Sequence, residues 1–159
     1  MFNVSKPFSP SLRISYMEIY NETLTDLLAE GPSQPLVISE EEGATVVKGL
    51  TVRLANTEEE ALNLLFEGET NRVIAEHALN YASSRSHCVF TVHIESRSRT
   101  QSSSNFTLSK LNFVDLAGSE RLGKTMSEGL TKQEAMYINK SLTFLEQVMA
   151  CYVLTIGRL

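Results

Sequence analysis

The chain has 159 residues, 42% of them hydrophobic and 21% charged, the make-up of one globular domain with a real core. A net charge of −5 argues against a general nucleic-acid binder, and no apolar run approaches the roughly 20 residues that span a bilayer. Its two cysteines, Cys88 and Cys151, lack metal-ligand spacing and read as reduced thiols of a cytosolic protein, and the first residues carry no apolar stretch of a secretory signal.

Residues 12–20 alternate as a strand, with Ile14, Tyr16, Glu18 and Tyr20 on one face and Ser15, Met17 and Ile19 on the other. Asn21 is placed to cap a short helix over 22–28, stopped by Gly31 and Pro32. Residues 36–39 and 45–47 predict short strands around an acidic turn, and 51–54 a further strand after Gly49, in a small peripheral sheet. Thr57 and Glu60 spell a capping box, and Ala61, Leu62, Leu65 and Phe66 continue a helix to about Ala75. Gly68 costs that helix ~1 kcal/mol relative to alanine.

A polar loop over 77–86 comes next. Strands at 89–97 and 107–115 then form a hairpin across a solvated turn. After Asp115 the chain is Gly-rich and polar until about Lys132, where Ala135, Ile138, Leu142, Leu145 and Met149 fall on one helical stripe. The tail, 151–159, is apolar and β-prone and breaks that pattern. No internal repeat, linker or domain boundary is visible.

Three segments carry chemistry. Residues 80–87, NYASSRSH, gather hydroxyls, a guanidinium, an imidazole and an amide beside a strand. Hydroxyl oxygens suit magnesium or phosphate, and arginine suits a carboxylate fork, while a solvated serine-rich turn is the plain alternative. Residues 111–115, LNFVD, are an apolar strand ending in a carboxylate, the usual place for a group that holds magnesium through water; a loop-capping Asp115 is the alternative. Gly118, three residues on, lets a backbone N–H approach a phosphate closely. Residues 118–125 also fit the P-loop spelling G-x-x-x-x-G-K-[ST], with Lys124 as its lysine. A polar continuation carrying Gly129, and a preceding strand that already ends in a magnesium-type aspartate, both count against that reading.

NYASSRSH, DLAGSE and YINKSL, in this order, resemble the kinesin motor domain, and ISYMEIYNETLTDLL is similar to the strand and helix that follow its nucleotide-binding half. FEGETNR and INKSLTFLEQ resemble the kinesin-9 family most. The resemblance covers residues 12–150. It implies an α/β fold, a partial P-loop-NTPase-like motor with a mixed central sheet flanked by helices. It also implies ATP and Mg2+ as ligands, microtubules as partner, and a cytoplasmic, cytoskeletal setting, with the axoneme of a cilium or flagellum suggested by family alone. No nucleic-acid or membrane partner is implied, and a parent dimer would form through a stalk outside this chain.

The resemblance assigns residues 80–87 to switch I. Asn80 would line the nucleotide, Ser84 would approach magnesium and the γ-phosphate, Ser83 would help position the attacking water, and Arg85 would close a salt bridge. Residues 115–120 match switch II: Asp115 would hold magnesium through water, Gly118 would donate its N–H to the γ-phosphate, and Glu120 would pair with Arg85. Such a latch closes only when both loops fold over triphosphate. Asn139 matches the start of the relay helix, and Lys124, Asn139 and Lys140 would face the microtubule.

Residues 1–11 contain no Gly-Lys-Ser/Thr spelling, so the adenine- and phosphate-binding half of the family is not expected here. Residues 1–159 are expected to form a partial motor domain, family-like over 12–150 with a divergent tail over 151–159, as a truncated, alternatively spliced or misassembled product. An uncovered sheet edge and marginal stability are the physical expectations. A non-catalytic tubulin- or partner-binding segment is the rival from the binding class. A compact ATPase built on Lys124 is the enzymatic one.

Overall fold

The structure, a computed structural model, describes residues 8–31, 35–41, 43–79, 83–98, 106–118 and 130–156. Its organising element is β1 (Phe8–Tyr20), which starts four residues earlier than the alternation alone predicts. It pairs along nearly its whole length with β6 (His87–Ser98), in a register that sets Ile14 against Val92 and Ile19 against His87. β7 (Phe106–Asp115) extends the sheet beyond β6, with Cys88 opposite Asp115 and Arg97 opposite Phe106, so the expected long hairpin is present. On the other side of β1 lie β2 (Thr23–Asp26) and β5 (Arg53–Ala55), and every ladder is antiparallel among the described residues.

β2 corrects the helix expected over 22–28. Asn21 and Glu22 both adopt left-handed backbone, at φ 50° and 61°, and make a two-residue hairpin turn in place of a helix cap. The β-branched Thr23 and Thr25 then pair with Tyr20 and Glu18. Leu27 and Leu28, beyond the strand, are fully buried, and the Asp26 carboxylate accepts from the N–H groups of Leu28 at 2.9 Å and Thr51 at 2.7 Å. β3 (Val37–Glu41) and β4 (Ala44–Lys48) form a small separate hairpin as expected, but the third strand expected in that peripheral sheet, β5, instead pairs with β1 in the main sheet.

Helix α1 (Glu58–Leu79) begins at the expected cap: Thr57 Oγ1 accepts from Glu60 N–H at 3.1 Å, while the Glu60 carboxylate accepts from the N–H of Asn56 at 2.6 Å, one residue before the Thr57 N–H of a standard capping box. It runs four residues past the expected end. Leu64, Gly68 and Arg72, four residues apart, are buried on one stripe against β1. A Cβ at Gly68 would sit 2.2 Å from Tyr16 Cδ1, so glycine is what lets helix and ring meet. The core joins Ile14, Tyr16, Leu27, Leu28, Ala55, Leu64 and Cys88. Phe90 packs against it with its ring edge-on to Tyr16 at 5.4 Å.

Helix α2 (Leu130–Ile156) crosses the sheet end where β1 finishes and β6 begins. It continues through residues 151–156, where the sequence suggests a break, since a helix already nucleated tolerates β-branched residues at little cost each. Only the first part of its apolar stripe is covered: Ala135 and Ile138 are buried, whereas Leu145 and Met149 are exposed. β7 is exposed at all ten positions, including Phe113 and Val114. No helix among the described residues is long and apolar enough to cross a membrane.

Candidate functional site

The antiparallel register brings two loops to one end of the sheet. β7 ends at Asp115 and β6 begins at His87, so the chain leaving β7 meets the chain entering β6. The entering segment includes a short 3-10 turn, Ser83–Arg85. In the leaving segment, residues 116–118, Gly118 N–H donates to the Ser84 carbonyl oxygen at 2.9 Å. The Asp115 side chain is 78% exposed beside this junction.

A buried ionic cluster lies beneath the loops. The Arg72 guanidinium, only 9% exposed, reaches Glu18 at 3.4 Å and approaches Glu69 at 3.8 Å and Asp115 at 3.9 Å. It also donates to Ser86 Oγ at 3.0 Å. Glu69 in turn accepts from the Tyr16 hydroxyl. Burial and that bond push the Tyr16 hydroxyl far above the usual phenol range. Burial likewise pushes the neighbouring Cys88 thiol up to about 12, leaving it protonated and inert near neutral pH. One arginine on α1 therefore ties the bases of both loops to the core.

A second cluster joins the loops to α2. Arg85 pairs with Glu134 at 2.8 Å, and the other Glu134 oxygen accepts from the Tyr20 hydroxyl. Burial and this bond push Tyr20 up to about 12. His87 is buried beside them. Its Nδ1 accepts from Ala117 N–H at 2.9 Å and its Nε2 lies 2.7 Å from Ser141 Oγ on α2. Burial lowers its pKa, against a smaller opposing pull from Asp115. These groups line a cavity of about 30 Å³, room for a water.

Of the residues singled out in the sequence, Ser84, Arg85, Asp115 and Gly118 are brought together at this end, with the Ser83 backbone beside them. Asn139 is half-buried and Lys140 exposed on α2, where Lys140 Nζ lies 3.7 Å from Glu22 and 5.9 Å over the Tyr137 ring. Asn80, Glu120 and Lys124 lie outside the described residues, as does the P-loop spelling after Gly118. Arg72, Glu134 and Ser141 were not anticipated. Arg72 had a visible signal, a charge on the buried i, i+4 stripe of α1 facing a carboxylate on the apolar face of β1.

No three His, Cys, Asp or Glu side chains cluster as a metal site among the described residues. An exposed carboxylate at Asp115 and the exposed Ser84 are hard oxygen donors, and they fit a magnesium ion that keeps most of its waters.

The family described as Kinesin motor domain matches residues 3–154. The chain belongs to the kinesin motor-domain family. Kinesin-like protein KIF9 of Homo sapiens is 56% identical over 144 residues, covering 87% of this kinesin chain and 18% of that protein. Kinesin-like protein KLP1 of Chlamydomonas reinhardtii is 51% identical over 141 residues, with 87% and 18% covered. The solved structure of a fast kinesin superposes with a TM-score of 0.73 at 35% identity, covering 85% of this chain and 38% of that one. A structure of kinesin 6 gives 0.74 at 34%, covering 89% and 39%. The kinesin chain thus spans about a fifth of its curated relatives, and its likeness to KIF9 agrees with the kinesin-9-like spelling of its motifs.

Proposed function

We propose that this chain carries the magnesium- and γ-phosphate-sensing loops of an ATP-hydrolysing motor that moves on microtubules. The observation that carries the reading is the meeting of the Ser83–Arg85 turn with the exposed strand-end carboxylate of Asp115 at one end of the sheet. Asp115 and Ser84 would hold magnesium, which supplies charge neutralisation on the phosphates. Ser83 orients water, and Asn80 lines the nucleotide. Gly118 offers its N–H to the γ-phosphate, and Arg85 closes the site with Glu120. Catalysis of this kind rests on positioning and electrostatics, without covalent chemistry. Lys124, Asn139 and Lys140 form the tubulin-facing side of a cytoskeletal protein.

Equilibrium binding of ATP to the purified chain, with and without magnesium, tests this reading. Magnesium-dependent binding lost in Asp115→Ala and kept in Lys124→Ala supports it. Binding lost in Lys124→Ala and kept in Ser84→Ala transfers the phosphate site to the P-loop spelling at 118–125 and overturns it.

The second reading, a tubulin- or partner-binding segment without turnover, is favoured by one observation. The Gly118 N–H is already engaged by Ser84, so a phosphate has to compete for it. That reading predicts no ATP binding and no ATPase activity with microtubules present.

A further inference from the structure

His87 is the first residue of β6 and is 8% exposed. Its two ring nitrogens face different elements. Nδ1 accepts from the backbone N–H of Ala117, in the loop after β7, at 2.9 Å. A nitrogen that accepts carries no hydrogen, so the ring hydrogen sits on Nε2. Nε2–H therefore donates to Ser141 Oγ at 2.7 Å, and the Ser141 hydroxyl is left to donate to the Ile138 carbonyl of α2 at 2.8 Å. Donors and acceptors run in a single direction, from the loop backbone through the imidazole to the helix backbone.

We propose that His87 is a positioning residue that couples the loop at Ala117 to the helix at Ser141, so that displacement of one is transmitted to the other.

Three observations carry this beyond a satisfied core histidine. Ala117 stands between Asp115 and Gly118, and the next N–H, that of Gly118, holds Ser84, so the imidazole grips the stretch that closes the two loops. Besides the bonds of Glu134 to Arg85 and Tyr20 and the Lys140–Glu22 contact, the helix buries only Ala135 and Ile138 as apolar residues among those described, while Phe144, Val148 and Met149 are exposed. Finally, the chain of bonds has one working tautomer. Such a bond fails once its atoms separate beyond about 3.5 Å, so a loop shift of roughly an ångström either drags the ring and Ser141 with it or breaks the connection. Linked bonds of fixed direction also polarise one another, so loss of one weakens the next.

The purpose of this coupling rests on the motor reading above, but the coupling itself needs no nucleotide, and its test uses none. Amide hydrogen exchange is measured on the full chain, alongside the ¹⁵N shifts of the His87 ring. In the unmodified chain the ring is the Nε2–H tautomer. Ser141→Ala, which does not touch Ala117, speeds exchange at Ala117 by about fivefold, as expected for loss of one hydrogen bond's contribution. His87→Asn keeps an acceptor near the Nδ1 position without reaching Ser141, so it breaks the same link and speeds Ala117 exchange as Ser141→Ala does. His87→Gln reaches Ser141 but loses the Ala117 bond, and the loosening passes on to the Ser141 end. An Nδ1–H tautomer, or Ala117 exchange unchanged in Ser141→Ala, overturns the proposal. Those two readouts decide it even where the His87 variants do not fold. Failure of ATP binding would leave this result intact, so the two claims fall separately.

Discussion

Arg72 of α1 reaches Glu18 of β1 across 3.4 Å in the core, and both side chains are nearly sealed from solvent at 9% and 2% exposure. The same guanidinium donates to Ser86 at the root of the first loop and lies 3.9 Å from Asp115 at the root of the second. A buried pair of this kind gains little over an apolar replacement, but it is costly to break on one side only.

Arg72→Met is therefore expected to destabilise the chain by about 3–5 kcal/mol, because it strands the Glu18 carboxylate. Glu18→Gln combined with Arg72→Met recovers a large part of that loss. Urea unfolding of the two single variants and the double variant measures the coupling. Additive losses would show that the two charges do not stabilise one another.

Gly68 sets two effects against each other. Alanine gains up to ~1 kcal/mol of helix propensity. Its Cβ would sit 2.2 Å from Tyr16 Cδ1, and overpacking of that kind costs about 1–3 kcal/mol. The Tyr16 ring is pinned by Phe90 and Glu69, so it has little room to yield. The clash wins: Gly68→Ala lowers the urea midpoint, and Tyr16→Leu in the same chain reverses the sign of the alanine effect.

Two histidines, His87 buried and His93 half-buried, give the chain an acid-sensitive stability. Burial lowers the pKa of His87, partly offset by Asp115, and lowers that of His93, reinforced by Lys110 and Arg13. His93 is held by Ser15 at 3.0 Å. Between the native values and the ordinary value of 6.5, the unfolded chain binds more protons than the folded one. Stability is thus full above that ordinary value and is lost as pH falls through the native ones. Denaturant midpoints measured from pH about 7.5 down to about 5.5 should decline, and His93→Gln should flatten the decline. A midpoint that rises on acidification contradicts the assignment.

Local patterns in the sequence were legible where both the period and its punctuation were strong. The alternation in 89–97 and 107–115 gave the β6–β7 hairpin, and Thr57 with Glu60 gave the start of α1. The β1–β2 turn was not legible. Asn21 serves equally well as a helix cap or a left-handed turn residue, and nothing local announces a glutamate at φ 61°. The end of α2 is not legible locally, because the residues after 150 are β-prone and only the helix already running into them carries them on. At the site, the motif spellings located Ser84, Arg85, Asp115 and Gly118. Their partners are tertiary: Glu134 lies 49 residues from Arg85, and Ser141 lies 54 from His87. No spacing rule connects residues so far apart.

The most direct test of the nucleotide-sensing claim follows the Gly118 amide by ¹H–¹⁵N NMR as the chain is titrated with Mg·ATP and, separately, with Mg·ADP. The account predicts that the Gly118 and Ser84 resonances shift with Mg·ATP as the bond between them is exchanged for the γ-phosphate. They should stay in place with Mg·ADP, and Asp115→Ala should abolish the response. Equal shifts with both nucleotides, or none with either, would contradict it.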